Sequence, residues 1–174
     1  LDAWNWEDAS YKTDIGIHIN WPSMRYSERA KKRRKENIGR LEMIFQKAKA
    51  YSKSTDPDIV NLKYEAMRGL FDGSKKAFVH ANNSYDIIES VQFMKRHGVS
   101  TVIVGAAQAA KVAGFLSKND VAVIFVRTQS LPSNVDADYD EKYRTPKGLA
   151  DSNVLFCIAD KESWQQRNLP FQAG

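Results

Sequence analysis

The sequence predicts an α/β fold in which a parallel sheet alternates with helices. Short apolar runs begin at residues 77, 101, 121 and 154, and each has the length of a buried strand. The stretches between them place apolar residues three and four positions apart, which is the spacing of one helix face. Neighbouring runs start roughly 20 residues or more apart, which leaves room for the crossover helix that parallel strands require. These observations favour right-handed βα repeats.

The first strand is predicted within residues 15–21. Ile15, Ile17 and Ile19 alternate with polar residues, and the run ends before Pro22. Because successive side chains in a strand point to opposite faces, His18 faces away from the isoleucines. His18 therefore points either to solvent or into a site, and a structural, hydrogen-bonded histidine is the alternative.

A long helix is predicted from Ser27, a suitable N-cap, to about Ser52. Its beginning and the turn before it are rich in cations, with seven in the eleven residues 25–35 against one acid, Glu28. The cations are Arg25, Arg29, Lys31, Lys32, Arg33, Arg34 and Lys35. We interpret them as a solvated helix face rather than a nucleic-acid site, because no aromatic residue lies between Arg29 and Lys35 to stack on a base.

A second helix is predicted to begin near Asp56 and Pro57 and to end within residues 69–73. Its apolar face consists of Ile59, Leu62, Tyr64, Ala66 and Met67. A strand follows at residues 77–81, and His80 lies close to its carboxyl end. The polar residues after it predict a helix entrance, where Asn82 and Asn83 either cap the helix or orient a substrate.

The helix after this strand is indicated by Ile87, Val91 and Met94 and is closed by His97 and Gly98. The next strand, 101–104, ends at Gly105. A helix stripe follows, formed by Ala109, Val112, Ala113 and Leu116, and strands are predicted at 121–126 and 154–159. Residues 127–153 read as a long polar loop with a short helix near Leu149.

Composition indicates one domain over residues 1–174, with 43% apolar residues and a mild net charge of +5. No apolar run approaches the roughly 18 residues that span a bilayer, so we expect a soluble protein without a membrane partner. The chain starts without methionine and stops in a polar segment, so we expect a fragment of a longer protein. The compartment, cytoplasmic or periplasmic, stays open, since the lone Cys157 says little about redox environment.

A family resemblance rests on five segments: residues 4–8, 16–22, 78–88, 130–133 with the acidic run that follows, and 162–174. Together they resemble the imidazolonepropionase-like branch of the amidohydrolase superfamily. The resemblance implies a metal-dependent hydrolase of carbon–nitrogen bonds other than peptide bonds, built on a (β/α)8 barrel. Such a barrel needs about 250 residues, so this chain would form a partial barrel, the second half. The alternative fold is a doubly wound, Rossmann-like sandwich.

The resemblance also implies site residues. His80 matches the fifth-strand histidine that binds metal, and Asp160 matches the eighth-strand aspartate that binds metal and moves the proton of the attacking water. Lys161 is the alternative match to that aspartate. Gly105 stands where a sixth-strand histidine is expected, and no His-x-His pair occurs in the chain.

His18 is a candidate third ligand, and Asn82, Arg167 and Asn168 are candidate substrate-binding residues. Zinc is the expected metal, and a catalytic zinc site uses three protein ligands. We therefore expect the intact parent to hold zinc and act on a small molecule, and the fragment by itself to be inactive, whether or not it holds a metal.

Two further interpretations stay open. The chain is either an inert structural module or, less favoured, a nucleotide- or phosphate-binding domain that uses the turn at residues 104–107. No nucleic-acid partner is expected. Because a half barrel leaves an unpaired sheet edge, we expect self-association or pairing with the missing part of the barrel.

Overall fold

The computed structural model describes residues 10–24, 26–54, 59–132, 137–160 and 162–173 of the 174. The predicted segment 4–8 and the positions Arg25, Asp56, Pro57 and Lys161 lie outside the described residues. The described residues form one five-stranded sheet. Its strands are β1 (Gly16–Asn20), β2 (Lys76–Ala81), β3 (Thr101–Gly105), β4 (Ala122–Val126) and β5 (Phe156–Ala159).

Six α-helices and two short 3-10 helices accompany the sheet within the described residues. The α-helices are α1 (Glu28–Ser52), α2 (Leu62–Phe71), α3 (Ser84–His97), α4 (Ala113–Lys118), α5 (Glu141–Asp151) and α6 (Leu169–Ala173). The 3-10 helices are Ala109–Val112 and Ser163–Asn168. Ser27 caps α1 as predicted, since its hydroxyl accepts from the Ala30 N–H. Asn83 caps α3 in the same way, through the Asp86 N–H, so capping is the role that the structure shows for Asn83.

Strand order in the sheet is the order of the sequence, β1-β2-β3-β4-β5, and every pair is parallel. Each right-handed crossover therefore moves the chain in the same direction, and all the crossover helices fall on one face of the sheet. A doubly wound sheet would reverse direction at one point. The predicted parallel sheet of βα repeats is confirmed, and the Rossmann-like alternative is wrong.

The hydrophobic core fills the space between the sheet and helices α1 to α5. Alternate strand residues such as Val79, Ile103 and Phe125 point into it and pack with Phe45 of α1 and Leu116 of α4. The other face of the sheet, which we call the open face, carries the intervening residues. The register places His18 beside Phe78, and His80 beside Val104. Both histidines therefore lie on the open face.

Helix α2 differs from the prediction at its start. Asn61 caps it, and the helix begins at Leu62. Ile59 and Leu62 are 82% and 80% exposed, so these two residues do not belong to the apolar face assigned to them. Met67 and Leu70 are the buried residues of this helix. The error arose because the apolar spacing that marks a helix face continues past the capping residue into a loop.

The polar region before β5 also differs from the prediction in extent. Helix α5 occupies residues 141–151, so a helix of three turns replaces much of the predicted loop. The strand itself begins at Phe156, two residues later than expected, because Asn153 and Val154 close the end of α5 with hydrogen bonds to Ala150 and Leu149. Within the described residues, no helix has the length and apolarity that a membrane crossing requires.

Phe45 is the side chain whose removal should cost the core most clearly. It is 1% exposed, and its ring packs edge-on against Phe71 and Phe93. We expect Phe45→Ala to lower the free energy of unfolding by about 3–5 kcal/mol, because the neighbouring rings cannot move in to fill the cavity that it leaves. Met43→Ala, at a half-exposed position of the same helix, should change it by less than about 0.5 kcal/mol. Urea unfolding followed by circular dichroism measures both, and equal losses would contradict this account of the core.

Candidate functional site

The open face brings two histidines together, one from the middle of β1 and one from near the carboxyl end of β2. His18 and His80 project from neighbouring parallel strands on the open face, and His18 Nδ1 lies 2.9 Å from His80 Nε2. One imidazole donates and the other accepts, since a neutral ring carries a donor on one nitrogen and a lone pair on the other. His18 is exposed, and its ring also stacks on Phe78 with centroids 5.1 Å apart. The alternation of the first strand thus predicted the direction of His18 correctly.

A small cavity of about 270 Å³ lies beside His80, at the carboxyl ends of β1 to β3. Its lining consists of Asn20, Trp21, Ser23, His80, Ala81, Asn82, Asp86, Val104 and Gly105. Polar side chains from the ends of β1 and β2 and from the start of α3 thus converge near one imidazole, and β3 contributes Val104 and Gly105. This is the end of a parallel sheet at which α/β proteins place their ligands.

An ion-pair cluster fixes the wall of this cavity. Arg34 of α1 donates to Asp86 at 3.1 Å, to Glu89, and to the Pro22 carbonyl at 2.9 Å. The Asp86 carboxylate also accepts from the Met24 N–H. The side chains of Arg34 and Asp86 are 10% and 3% exposed, so Arg34 is not part of a solvated helix face, and that interpretation is wrong for this residue. The acids that remove it from solvent lie more than fifty residues away in the sequence.

Asp160 lies directly after β5, at the same end of the sheet as His80, as predicted. Its side chain has no exposed surface. Its carboxylate accepts from Arg127 Nε at 3.1 Å, Gln172 Nε2 at 2.9 Å and the Glu162 N–H at 3.2 Å. Burial by itself raises the pKa of Asp160, but these three donors stabilise the ionised form and hold the pKa below its ordinary value. Asp160 is therefore a carboxylate at neutral pH.

The structure does not bring Asp160 to the histidine pair. Strand β2 is three places from β5, and strand spacings of about 4.8 Å put their ends roughly 14 Å apart along the sheet. In the described part of the chain, no three His, Cys, Asp or Glu side chains are grouped so that they could hold a metal ion. The metal roles of His80, His18 and Asp160, and the catalytic role of Asp160, stay predictions.

The three candidate substrate-binding residues divide between the β2 side and the β5 side of the sheet. Asn82 is exposed beside His80, and its carbonyl accepts from the Gln108 N–H at 2.9 Å. Arg167 and Asn168 lie beyond β5, where Arg167 is exposed and Asn168 donates to Gln165. Their binding roles also stay predictions. Sequence reasoning missed Arg127 and Gln172, the partners of Asp160, because no local spacing relates residues 33 and 12 positions away from it.

Gly105 shows why the expected histidine is absent at the end of β3. Its φ angle is +96°, a conformation that side chains with a Cβ rarely adopt. A Cβ built there would lie 2.5 Å from Asn82 Oδ1. The Ala106 N–H donates to the Ala81 carbonyl at 2.9 Å, which continues the pairing of β3 with β2 and holds the backbone at Gly105 in place. This local geometry excludes a strand-end histidine ligand at this position without a change of backbone.

No family model matches the chain, and no curated protein matches it. A search of solved structures finds the crystal structure of an amidohydrolase from Thermotoga maritima MSB8, with a TM-score of 0.71 and 18% sequence identity. The fold is similar to that amidohydrolase. The alignment covers 87% of this chain and 43% of the other, so the amidohydrolase-like sheet spans less than half the length of its structural neighbour. At this identity the likeness concerns the fold.

Gly105→Ala tests the backbone constraint at the end of β3. We expect a loss of about 1–3 kcal/mol in the free energy of unfolding, because alanine is strained at this φ angle. Gly39→Ala is the matched control, since Gly39 lies inside α1 with nothing within 4 Å of its added Cβ. That change should stabilise the protein by about 0.4–1 kcal/mol. Chemical unfolding measures both, and a stable Gly105→Ala variant would refute the constraint.

Asp160→Asn tests the carboxylate and its three donors. A carboxylate with a lowered pKa stabilises the fold fully above its unfolded pKa, about 3.9, and loses this contribution as the pH falls through the folded pKa. We therefore expect the variant to melt at a lower temperature than the parent at pH 7, and the gap to narrow below about pH 4. The control Asp151→Asn, in an exposed pair with Lys147, should show little difference at either pH. A gap that is constant with pH would contradict the role of the ionised form.

Proposed function

We propose that this chain forms one wall of an amidohydrolase-like barrel of the imidazolonepropionase-like branch, and that the completed barrel hydrolyses carbon–nitrogen bonds of a small molecule. The observation that carries the proposal is the pairing of His18 with His80 on the open face, with His80 near the carboxyl end of β2 and His18 in the middle of β1. In a barrel the open face becomes the interior, and the carboxyl ends of the strands form the catalytic mouth.

Zinc is the metal that this pair suits best. Two neighbouring imidazoles supply the nitrogen donors that zinc prefers, but a catalytic zinc site needs three protein ligands. Within the described residues the pair has no third ligand, so this chain fits part of a zinc site and not a whole one. A third ligand would have to come from strands outside this chain. The metal's general contribution would be to lower the pKa of bound water and polarise a carbonyl.

Of the chain's own residues, His80 and His18 would hold the metal, and Asn82 would face substrate at the same strand ends. Arg167 and Asn168 would line the mouth on the β5 side. For Asp160 we keep the proposed role as metal ligand and proton acceptor, with one condition: its carboxylate must first exchange its hydrogen bonds with Arg127 and Gln172. We assign no step to it in the arrangement seen here.

The partner in this proposal is the remainder of the barrel. Among the described strands, β1 pairs only with β2, and β5 only with β4, so each edge has one free row of backbone groups. Further parallel strands would satisfy both edges and enclose the open face. A second copy of this chain is the alternative partner, and sedimentation of the purified chain separates a monomer from such a dimer.

Of the alternative functions, the inert scaffold is supported by the absence of a third ligand near the histidines in the described residues. Nucleotide or phosphate binding at residues 104–107 is not supported by the structure. The N–H groups of Ala106 and Gln108 already donate to the carbonyls of Ala81 and Asn82. The helical segments after the turn are only four and six residues long, too short to present a helix terminus to an anion.

Zinc titration of the purified chain by calorimetry tests the metal proposal. We expect weak binding of one zinc ion, and His80→Ala and His18→Ala should each weaken it at least about tenfold. His97→Asn is the control, since His97 is the third histidine of the chain and lies buried between α1 and α3. It should leave zinc binding unchanged.

Two results would count against the proposal. If zinc does not bind, or binds equally well after both histidines are removed, the scaffold interpretation replaces it. If the zinc-loaded chain alone hydrolyses a panel of cyclic and open-chain amides, the site is complete within these residues, and the need for further strands is wrong.

A further inference from the structure

A second cavity, of about 430 Å³, lies between the loop after β1 and the first three turns of α1. Its lining consists of Pro22, Ser23, Ser27, Arg29, Ala30, Arg33, Arg34 and Asn37. Three of these residues are arginines, and none is acidic. The cavity is thus a cationic recess, larger than the cavity beside His80 and of the size that small-molecule sites have.

The three arginines differ in how their charge is compensated. Arg34 is bound to the carboxylates of Asp86 and Glu89 and is mostly buried. Arg29 and Arg33 are exposed and form no ion pair or hydrogen bond with any residue that the structure describes. They are four residues apart on α1, so their side chains start from the same face of the helix, roughly 6 Å apart. Two uncompensated guanidinium groups can therefore converge on one anion in this recess.

We propose that this recess binds the phosphate group of a phosphorylated small molecule. A guanidinium presents two parallel N–H donors that match the oxygens of phosphate, and two such groups hold one phosphate more selectively than two ammonium groups would. Ser23, Ser27 and Asn37 line the same space, and their hydroxyl and amide groups suit a polar body such as a sugar. None of the described lining residues is aromatic, which argues against a nucleobase or a nucleic-acid strand.

The proposed phosphate site is independent of the proposed hydrolase. The two cavities share Ser23, and the Arg34–Asp86 ion pair stands between them, with Arg34 lining one and Asp86 the other. Phosphate binding would therefore persist if zinc binding at the histidine pair failed, and the reverse also holds.

The test is a titration of the protein with ribose 5-phosphate, inorganic phosphate and neutral ribose, followed by backbone amide chemical shifts. We expect saturable shifts for the two phosphates, confined to Ser23, Ser27 and the first three turns of α1, and none for ribose. The double variant Arg29→Ala/Arg33→Ala should weaken binding of ribose 5-phosphate at least about tenfold, because it removes both charge-assisted contacts.

The matched control is Lys32→Ala/Lys35→Ala, which removes the same charge from exposed positions of α1 that do not line the recess. It should change the affinity less than about twofold at physiological ionic strength, because exposed charges at a distance are screened. Circular dichroism confirms that both variants keep their helices.

Three results would overturn the proposal: equal losses in the two double variants, shifts spread over the whole cationic helix, or no shifts with either phosphate. Tighter binding of a single-stranded RNA oligonucleotide than of ribose 5-phosphate, lost equally in both variants, would assign the cations to nucleic acid instead.

Discussion

Each strand of this sheet pairs in parallel with the strand before it in the sequence, and the rest of the structure depends on that constraint. Four crossovers of one hand place the helices on a single face. The helix-covered face then takes the apolar half of every strand, and the other half points to the open face. Asn20 lies opposite His80 in the sheet, and His18 is two residues before Asn20. Because side chains alternate along a strand, His18 and His80 share the open face. A slip of one residue in β1 would move His18 into the core.

The same constraint explains why Arg34 is buried at the sheet's rim. The loop from Trp21 to Met24 must turn from the end of β1 into α1, and it leaves backbone groups without secondary-structure partners. Arg34 donates to the Pro22 carbonyl, while Asp86 accepts from the Met24 N–H. The two residues of this ion pair therefore satisfy a carbonyl and an N–H group of the loop. Forming the pair has a free-energy cost, because two charges are removed from water. That cost is offset by hydrogen bonds to both partners, and the pair also divides the rim into two cavities.

Local patterns in the sequence were sufficient for the strands, because each is a short apolar run with the period of its own conformation. They were also sufficient for the direction of His18, which alternation decides, and for the cap at Ser27, while Asn83 stayed open between capping and substrate binding. They were insufficient wherever a residue's state depends on a distant partner. Arg34 carries the same local signal as Arg33, yet one is buried and the other exposed, because Asp86 and Glu89 come from another helix. Asp160 was correctly placed at a strand end, but its contacts with Arg127 and Gln172 have no counterpart in local spacing.

The β5 edge is where the further strands of the proposed barrel would gain most. Parallel sheets are normally covered on both faces, because their strands are apolar on both. Here Leu155, Trp164 and Phe171 are between 63% and 78% exposed around that edge. A groove of about 560 Å³ beside them is lined by Pro146, Phe156, Cys157, Ile158, Leu169, Pro170 and Ala173. A sixth strand seated there would pair the free backbone groups of β5 and cover these side chains at once. A hydrophobic gain and a hydrogen-bonding gain therefore coincide at one edge, which is the edge that a barrel would extend.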